Sequence, residues 1–272
     1  MVQLQPSLAL TMKHLAPLGA IISTEQQAAM DFSLPIKRVE AGLRTLVLWG
    51  KITALNGKDY LIAEGTTQAS VAGTCVHWEQ KYCYSQEGVK WIDLMAITSD
   101  IAEKADRVRT PLSGDSSKTY EVALSEGSAP VVPEEGEDAD ERRKLVAVVM
   151  VPELAVLRAR VNAINACTGV VPAGSLCTDA VNRVVGNALY GGSRFPDKLE
   201  SYVHRTSLPN TTSLAQDLRG SWSVHFDPFK SIAIVRSFLY PGYFFYFKSD
   251  ELTWGSMYVG TGTRNNDLIF ML

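Results

Sequence analysis

Four cysteines and four histidines are all that the 272 residues provide, and neither set forms a recognisable ligand or redox pattern. Cys75, Cys83, Cys167 and Cys177 contain no CxxC pair, which removes a zinc ribbon or a dithiol motif. Cys75, His77 and Cys83 come nearest to a metal cluster. They fall in a stretch read as strand and lack a fourth ligand nearby, so buried thiols and a surface imidazole are the favoured reading. His14, His204 and His225 are scattered, with no HExxH, and no GxSxG elbow nominates a nucleophile. The expectation is a protein that is not an enzyme and needs neither metal nor cofactor.

Long apolar runs are missing too. The longest, Leu145 to Val151, has seven residues, against the roughly twenty that a membrane-spanning helix needs. The N-terminus lacks a basic start leading into an unbroken apolar region, since Lys13 and His14 interrupt the one candidate. A soluble, unsecreted chain with reduced thiols is expected, and the sequon Asn210-Thr211-Thr212 is set aside on that ground. A net charge of −3 offers no overall field for nucleic acid or an anionic membrane. The basic triplet Arg142-Arg143-Lys144 directly follows an acidic run and is balanced by it. Gly260-Thr261-Gly262 invites comparison with a phosphate loop, but Thr263-Arg264-Asn265 follows, so neither GxGxxG nor a GK[ST] ending is present. An ordinary turn is favoured there; the alternative is a small-molecule or nucleotide-binding regulator that uses the turn as an anion nest.

What is present reads as an α+β domain spanning residues 1–272, with antiparallel sheet, several short helices and an aromatic-rich C-terminal meander. Leu8, Met12, Leu15 and Leu18 fall at helical spacing until Pro17-Leu18-Gly19 ends the segment. A second helix is predicted from Ser23 or Thr24, each with Gln three residues on, and Pro35 is expected to close it. Thr45 to Leu55 and Tyr60 to Ala63 read as a hairpin around Asn56-Gly57, with a bulge at Gly50. Further short strands are expected over 70–94, and a helix over Ile97 to Val108.

Residues 125–143 change character. Glu134, Glu135, Glu137, Asp138, Asp140 and Glu141 put six carboxylates in eight positions, a run that repels itself and lacks apolar anchors, so a mobile acidic loop with an electrostatic role is expected. Lys144 to Val151 then reads as a buried strand and Glu153 to Ala166 as a helix, with Leu154, Leu157, Val161 and Ile164 on one face and Arg158 and Arg160 off it. Pro196 to His204 looks helical, and Leu208 to Thr212 looks like a turn.

From Gly220 the strand signal is strong. Trp222, Val224 and Phe226 alternate, Asp227-Pro228-Phe229-Lys230 turns, Ile232 to Leu239 returns, Pro241-Gly242 turns again, and Tyr243 to Phe247 is apolar on both faces before Gly255 to Val259. Thirteen of the 24 aromatic residues lie in these last 51 positions, which requires a sheet covered on both sides. The sequence ends on Leu268-Ile269-Phe270-Met271-Leu272, predicted to plug a core or a neighbour. Trp222, Tyr243, Phe245, Phe247, Phe270 and Leu272 are the candidate core or partner-interface residues.

Several separated strings resemble the radial spoke head protein 9 family of motile cilia and flagella. They are Gly220-Ser221-Trp222-Ser223, Val235 to Gly242, Tyr258 to Gly262 and Asn266-Asp267-Leu268 with the terminal Phe270-Met271-Leu272. Support upstream comes from Leu48 to Ile52, Asp59 to Gly65, and Pro111-Leu112-Ser113-Gly114 with Tyr120-Glu121. Ile269 stands where the family commonly has proline and Tyr240 where it has tryptophan, the pattern of a distant relative. The resemblance implies a non-catalytic scaffold subunit of the axonemal radial spoke head, facing the central pair apparatus. It implies direct assembly with radial spoke head proteins 4 and 6, proximity to proteins 1 and 10, and a role in the mechanical signalling that controls dynein. No catalytic residues carry over, and the C-terminal sheet is expected to dock into the heteromeric head.

Overall fold

Two N-terminal helices cover one side of a large sheet. The protein is described by a computed structural model over residues 8–67, 70–72, 75–77, 80–123, 148–178, 184–205 and 212–270. Helix α1, Leu8–Leu15, buries Thr11, Met12 and Leu15, and a 3-10 turn, Ala16–Leu18, ends at Gly19 in the left-handed region, where glycine carries no steric penalty. Helix α2, Thr24–Glu40, is capped by Ser23, whose side chain accepts from the Gln26 amide at 3.1 Å. The reciprocal half of the expected capping box is replaced: the Gln27 side-chain amide donates to the Ile22 carbonyl at 2.8 Å.

Pro35 does not close α2, contrary to the sequence expectation. The helix runs on to Glu40 because it is anchored on both sides of the proline. Before it, Ser33 Oγ donates to the Gly88 carbonyl at 2.6 Å and accepts from Trp91 Nε1 at 2.8 Å; after it, Lys37 Nζ lies 2.7 Å from Asp93. Pro35 itself faces solvent, where the missing amide is least costly.

The main sheet has eight strands in the order β13-β14-β15-β16-β1-β2-β5-β6. Its later half comprises β1, Leu43–Ile52; β2, Tyr60–Thr67; β5, Gln80–Ser85; and β6, Ile92–Asp93, all antiparallel to their neighbours in that half. A small hairpin of β3, Ser70–Ala72, and β4, Cys75–His77, lies between β2 and β5 in sequence. The C-terminal meander, β13, Trp222–Asp227; β14, Ile232–Ser237; β15, Tyr243–Lys248; and β16, Thr253–Gly260, supplies the other half, as predicted.

The two halves join through a short parallel pairing of β1 with β16, in which Gly50, Lys51 and Ile52 face Tyr258, Val259 and Gly260. The β1–β2 register shifts between Leu48 and Gly50, the bulge expected there. The reason lies across the seam: a Cβ on Gly50 would sit 2.1 Å from the Tyr258 carbonyl oxygen.

Alternation along β15 explains why its sequence is apolar throughout. Tyr243, Phe245 and Phe247 join Trp49, Ile52, Tyr60 and Tyr258 in the core facing helix α4, Glu153–Thr168. Tyr246 points the other way, to Met12, Leu15, Met30 and Leu34 of α1 and α2. Burial of each such side chain contributes about 1.5–3 kcal/mol, so both faces of the strand must be covered.

The remaining elements pack around α4. Helix α3, Ser99–Asp106, forms as predicted, and β7, Thr119–Ala123, pairs antiparallel with β8, Val148–Pro152. The acidic run 134–141 lies outside the described residues. The strands on either side of it in sequence pair with each other, Ala123 opposite Val148.

Three short strands follow α4: β9, Val170–Pro172; β10, Leu176–Thr178; and β11, Val184–Gly186. Pro196 to His204 is not the helix expected from sequence: after a 3-10 turn, Leu199–Ser201, the chain enters β12, Tyr202–His204, paired with β9. Long-range pairing wins here, aided by Tyr202 Oη donating to the Pro196 carbonyl at 2.7 Å. The turn expected at Leu208 falls on residues outside those described.

Candidate partner-binding surface

Beneath the meander two buried charged side chains organise the polar contacts around helix α4. Glu153, fully buried in the first turn of α4, receives five hydrogen bonds. Tyr60 Oη and the Gly114 amide donate to Oε1 at 2.7 and 2.9 Å; Tyr120 Oη, Ser113 Oγ and the Ser113 amide donate to Oε2 at 2.7, 2.6 and 3.0 Å. Burial alone would push this carboxyl up, but the donors from Ser113, Tyr60 and Tyr120 outweigh it and hold the group below its usual value. The helix N-terminus favours the same charged form. The string Pro111 to Gly114 thus serves to wrap this carboxylate.

Arg160, two turns further along α4, was expected off the apolar face and is buried all the same. No carboxylate of the described residues pairs with it. Its guanidinium donates instead to three backbone carbonyls, Thr110 at 2.6 Å, Val108 at 3.1 Å and Thr261 at 3.3 Å. Burial pulls its pKa below the usual arginine value. Through Thr261 it holds the last turn of the sheet against α4.

That contact bears on the possible anion nest. The Gly262 amide donates to Tyr258 Oη at 2.8 Å, and a Cβ on Gly262 would meet Arg160 Cδ at 3.1 Å. The turn is filled from behind, and its Gly262 donor is already used. A cavity of about 160 Å³ lies instead where β1 and β16 diverge, lined among others by Trp49, Glu64, Asn165, Arg205, Trp254 and Ser256. Its polar groups pair with each other or with near neighbours: Trp49 Nε1 donates to Asn165 at 2.7 Å, Asn165 donates to Tyr82 Oη at 2.6 Å, and Arg205 lies 3.4 Å from Glu64. Among the described residues no group of three His, Cys, Asp or Glu side chains could hold a metal ion.

The residues singled out from sequence fall into three sets. Trp222, Tyr243, Phe245 and Phe247 are buried within the chain itself. Trp222 Nε1 donates to Asp217 at 2.7 Å, and its ring meets Tyr243 edge-on at 6.1 Å; Phe245 meets Tyr202 edge-on at 5.7 Å. Phe270, by contrast, is 86% exposed. Leu272 and the six carboxylates Glu134, Glu135, Glu137, Asp138, Asp140 and Glu141 lie outside the described residues.

Of the expected plug, Leu268 to Leu272, residues 268–270 are described. In the 3-10 turn Asn266–Phe270 only Leu268 is buried, while Ile269 is exposed like Phe270. Residues in such a turn are spaced by about 120°, so a single side chain of the three can point inward. Asn265 fixes the turn, its amide donating to the Leu239 carbonyl at 2.8 Å and its side chain to Phe238 at 3.2 Å.

A further apolar surface is open on α2. On α2, Phe32 is 77% exposed, Ile36 59% and Val39 74%, on the side opposite the buried Met30 and Leu34. The sequence reading passed over this second stripe, although its i, i+4, i+7 spacing is legible in a helix whose other face already supplies core residues.

No family model matches this chain. Curated relatives do. The radial spoke head protein 9 homologue of Bos taurus is 28% identical over 288 residues, covering 98% of this chain and 99% of its own length. The homologue of Xenopus tropicalis is 29% identical over 287 residues with the same coverage, and that of Danio rerio 29% over 278 residues, 93% of this chain and 94% of its own. Over nearly its whole length, then, the chain is similar to radial spoke head protein 9 homologues.

Proposed function

We propose that this protein is a structural, non-catalytic subunit of the radial spoke head in the axoneme of motile cilia or flagella. The observation that carries the reading is similarity to radial spoke head protein 9 homologues over 98% of the chain. The geometry is in keeping with it: the charged groups under the sheet are consumed in holding loops and helices together, and the accessible apolar surface suits protein contacts. Radial spoke head proteins 4 and 6 are the expected direct partners, with proteins 1 and 10 in the same head and the central pair apparatus opposite. The subunit serves head assembly, and through it the transmission of mechanical signals to the dynein arms.

Within this reading the division of labour is clear. The aromatic meander builds the subunit's own core, and contacts with radial spoke head proteins 4 and 6 fall to exposed elements such as the segment at Phe270. Co-expression with radial spoke head proteins 4 and 6 tests the reading. It predicts a stable complex on purification, and spokes lacking heads in cells without this chain. A chain that purifies apart from both proteins, and whose loss leaves the heads intact, would overturn it.

The carboxylates at 134–141 are assigned an electrostatic role at the head surface, acting over a Debye length of about 8 Å at physiological salt. Neutralising all six should alter beating while the heads still assemble. Unchanged motility would remove the role.

A further inference from the structure

We infer that the outer face of α2 is a self-association seam, on which a second copy of this chain packs its own α2 in antiparallel orientation. The seam is made of Ala28, Phe32, Ile36 and Val39, all exposed on the side away from the sheet, with Pro35 exposed at its edge beside the groove that α2 forms with α1 and β1. A helix that is apolar on two opposite faces has one face more than its own fold requires, and the sheet with α1 already covers Met30 and Leu34.

The charges beside the seam choose the occupant. Asp31 and Arg38 lie on the same flank, beside Pro35, and neither has an ion-pair partner among the described residues. Seven residues separate them, about 10.5 Å along the axis, too far for a direct pair. A two-fold axis near position 34 or 35, at the middle of the apolar stripe, sets each Asp31 against Arg38 of the other copy and makes both pairs at once. A parallel pairing would carry Asp31 and Arg38 of the two copies to opposite sides of the contact, where neither pair could form. Glu40, on the opposite flank, meets Ala29 in the antiparallel arrangement, and Glu25 lies past the end of the seam, so no like charges are brought together. Lys37 is already committed to Asp93.

A self-complementary patch of this kind is what a closed two-fold dimer uses. It is narrow, one helix of 17 residues per copy. It therefore falls at or below the lower end of specific interfaces, about 1,200 Å² in total, and its dissociation constant is expected on the order of 10 µM.

The test is sedimentation equilibrium of the purified full chain over concentrations from about 1 to 200 µM, bracketing that expected value. The wild type should pass from monomer to dimer. Phe32→Asp should stay monomeric throughout while its thermal unfolding stays close to that of the wild type, because the side chain is outside the core. Asp31→Arg and Arg38→Asp should each weaken the dimer about tenfold, whereas the two variants mixed, or the double reversal in one chain, should associate nearly as well as the wild type. Three outcomes overturn the proposal: a wild type monomeric at every concentration, a dimer indifferent to Phe32→Asp, or single reversals that the complementary reversal does not rescue. If the monomeric wild type binds radial spoke head protein 4 or 6 and Phe32→Asp abolishes that binding, the face belongs to a heteromeric contact and self-association is excluded.

Discussion

Strand β15 and helix α2 are both apolar on two opposite sides, yet only the strand is covered on both. Phe245 and Phe247 lie in the core shared with α4, against Tyr202 and Tyr190, and Tyr246 meets His14 of α1, whereas α2 buries Met30 and Leu34 and leaves Phe32, Ile36 and Val39 in solvent. A strand inside a sheet is flanked above and below by other layers, so a run such as Tyr243 to Phe247 is stable only when both layers exist. A helix on the outside of the same fold has a single neighbour, and an apolar outer face then needs cover from beyond the chain. Similar composition thus carries two meanings, settled by position in the layers.

Substitutions on the two elements should separate those meanings most widely. Phe247→Ala is expected to cost about 3–5 kcal/mol in denaturant unfolding, since the side chain is fully buried and the core around it cannot wholly collapse. Phe32→Ala should cost under about 0.5 kcal/mol at concentrations where the chain is monomeric. Comparable losses at the two sites would erase the distinction.

Next in size is the carboxylate that ties the core to its loops. Glu153→Gln replaces an acceptor of five donors by a side chain with only one oxygen, leaving Tyr, Ser or backbone donors unpaired at a cost of about 3 kcal/mol. Because the folded carboxyl sits below its usual value, its contribution is complete above the ordinary carboxylate pKa of about 4.3 and is lost as pH falls through the lower folded value. Unfolding curves of wild type and Glu153→Gln should therefore converge in acid. A gap that stays constant below pH 4 would show that the carboxylate charge is not what stabilises the loop.

The smallest contrast is at the chain's end. Leu268→Ala should cost about 2–3 kcal/mol and Phe270→Ala under about 0.5 kcal/mol, since one side chain is inside and the other out. Equal effects would mean that the tail packs as a unit.

The meander was fully legible in the sequence because its signals are local: strict alternation in β13, the turns at Asp227-Pro228 and Pro241-Gly242, and the doubly apolar β15. The bulge at Gly50 was legible, but its cause was not, since Tyr258 lies 208 residues further on. The same limit hid the parallel seam between β1 and β16 and the pairing that turns Tyr202 to His204 into a strand. Pro35 misled because propensity weighs one lost hydrogen bond, while Ser33 and Lys37 supply tertiary anchors that no local rule counts. Of the candidate site, the aromatic core residues were visible from composition. Glu153 and Arg160 were not, because a charged residue on a helix reads as solvent-facing until its partners, at Ser113 and Thr261, are known.

Hydrogen exchange of the wild-type chain, followed as a function of protein concentration, tests most directly which apolar surface is spent within the chain and which is held for another. Amides of β15 should exchange at the same slow rate at every concentration, and added protection on concentrating the protein should be confined to α2, centred on Phe32 to Val39. Concentration-dependent protection that appears in β15 or in the turn Asn266–Phe270 while α2 stays unchanged would contradict the account.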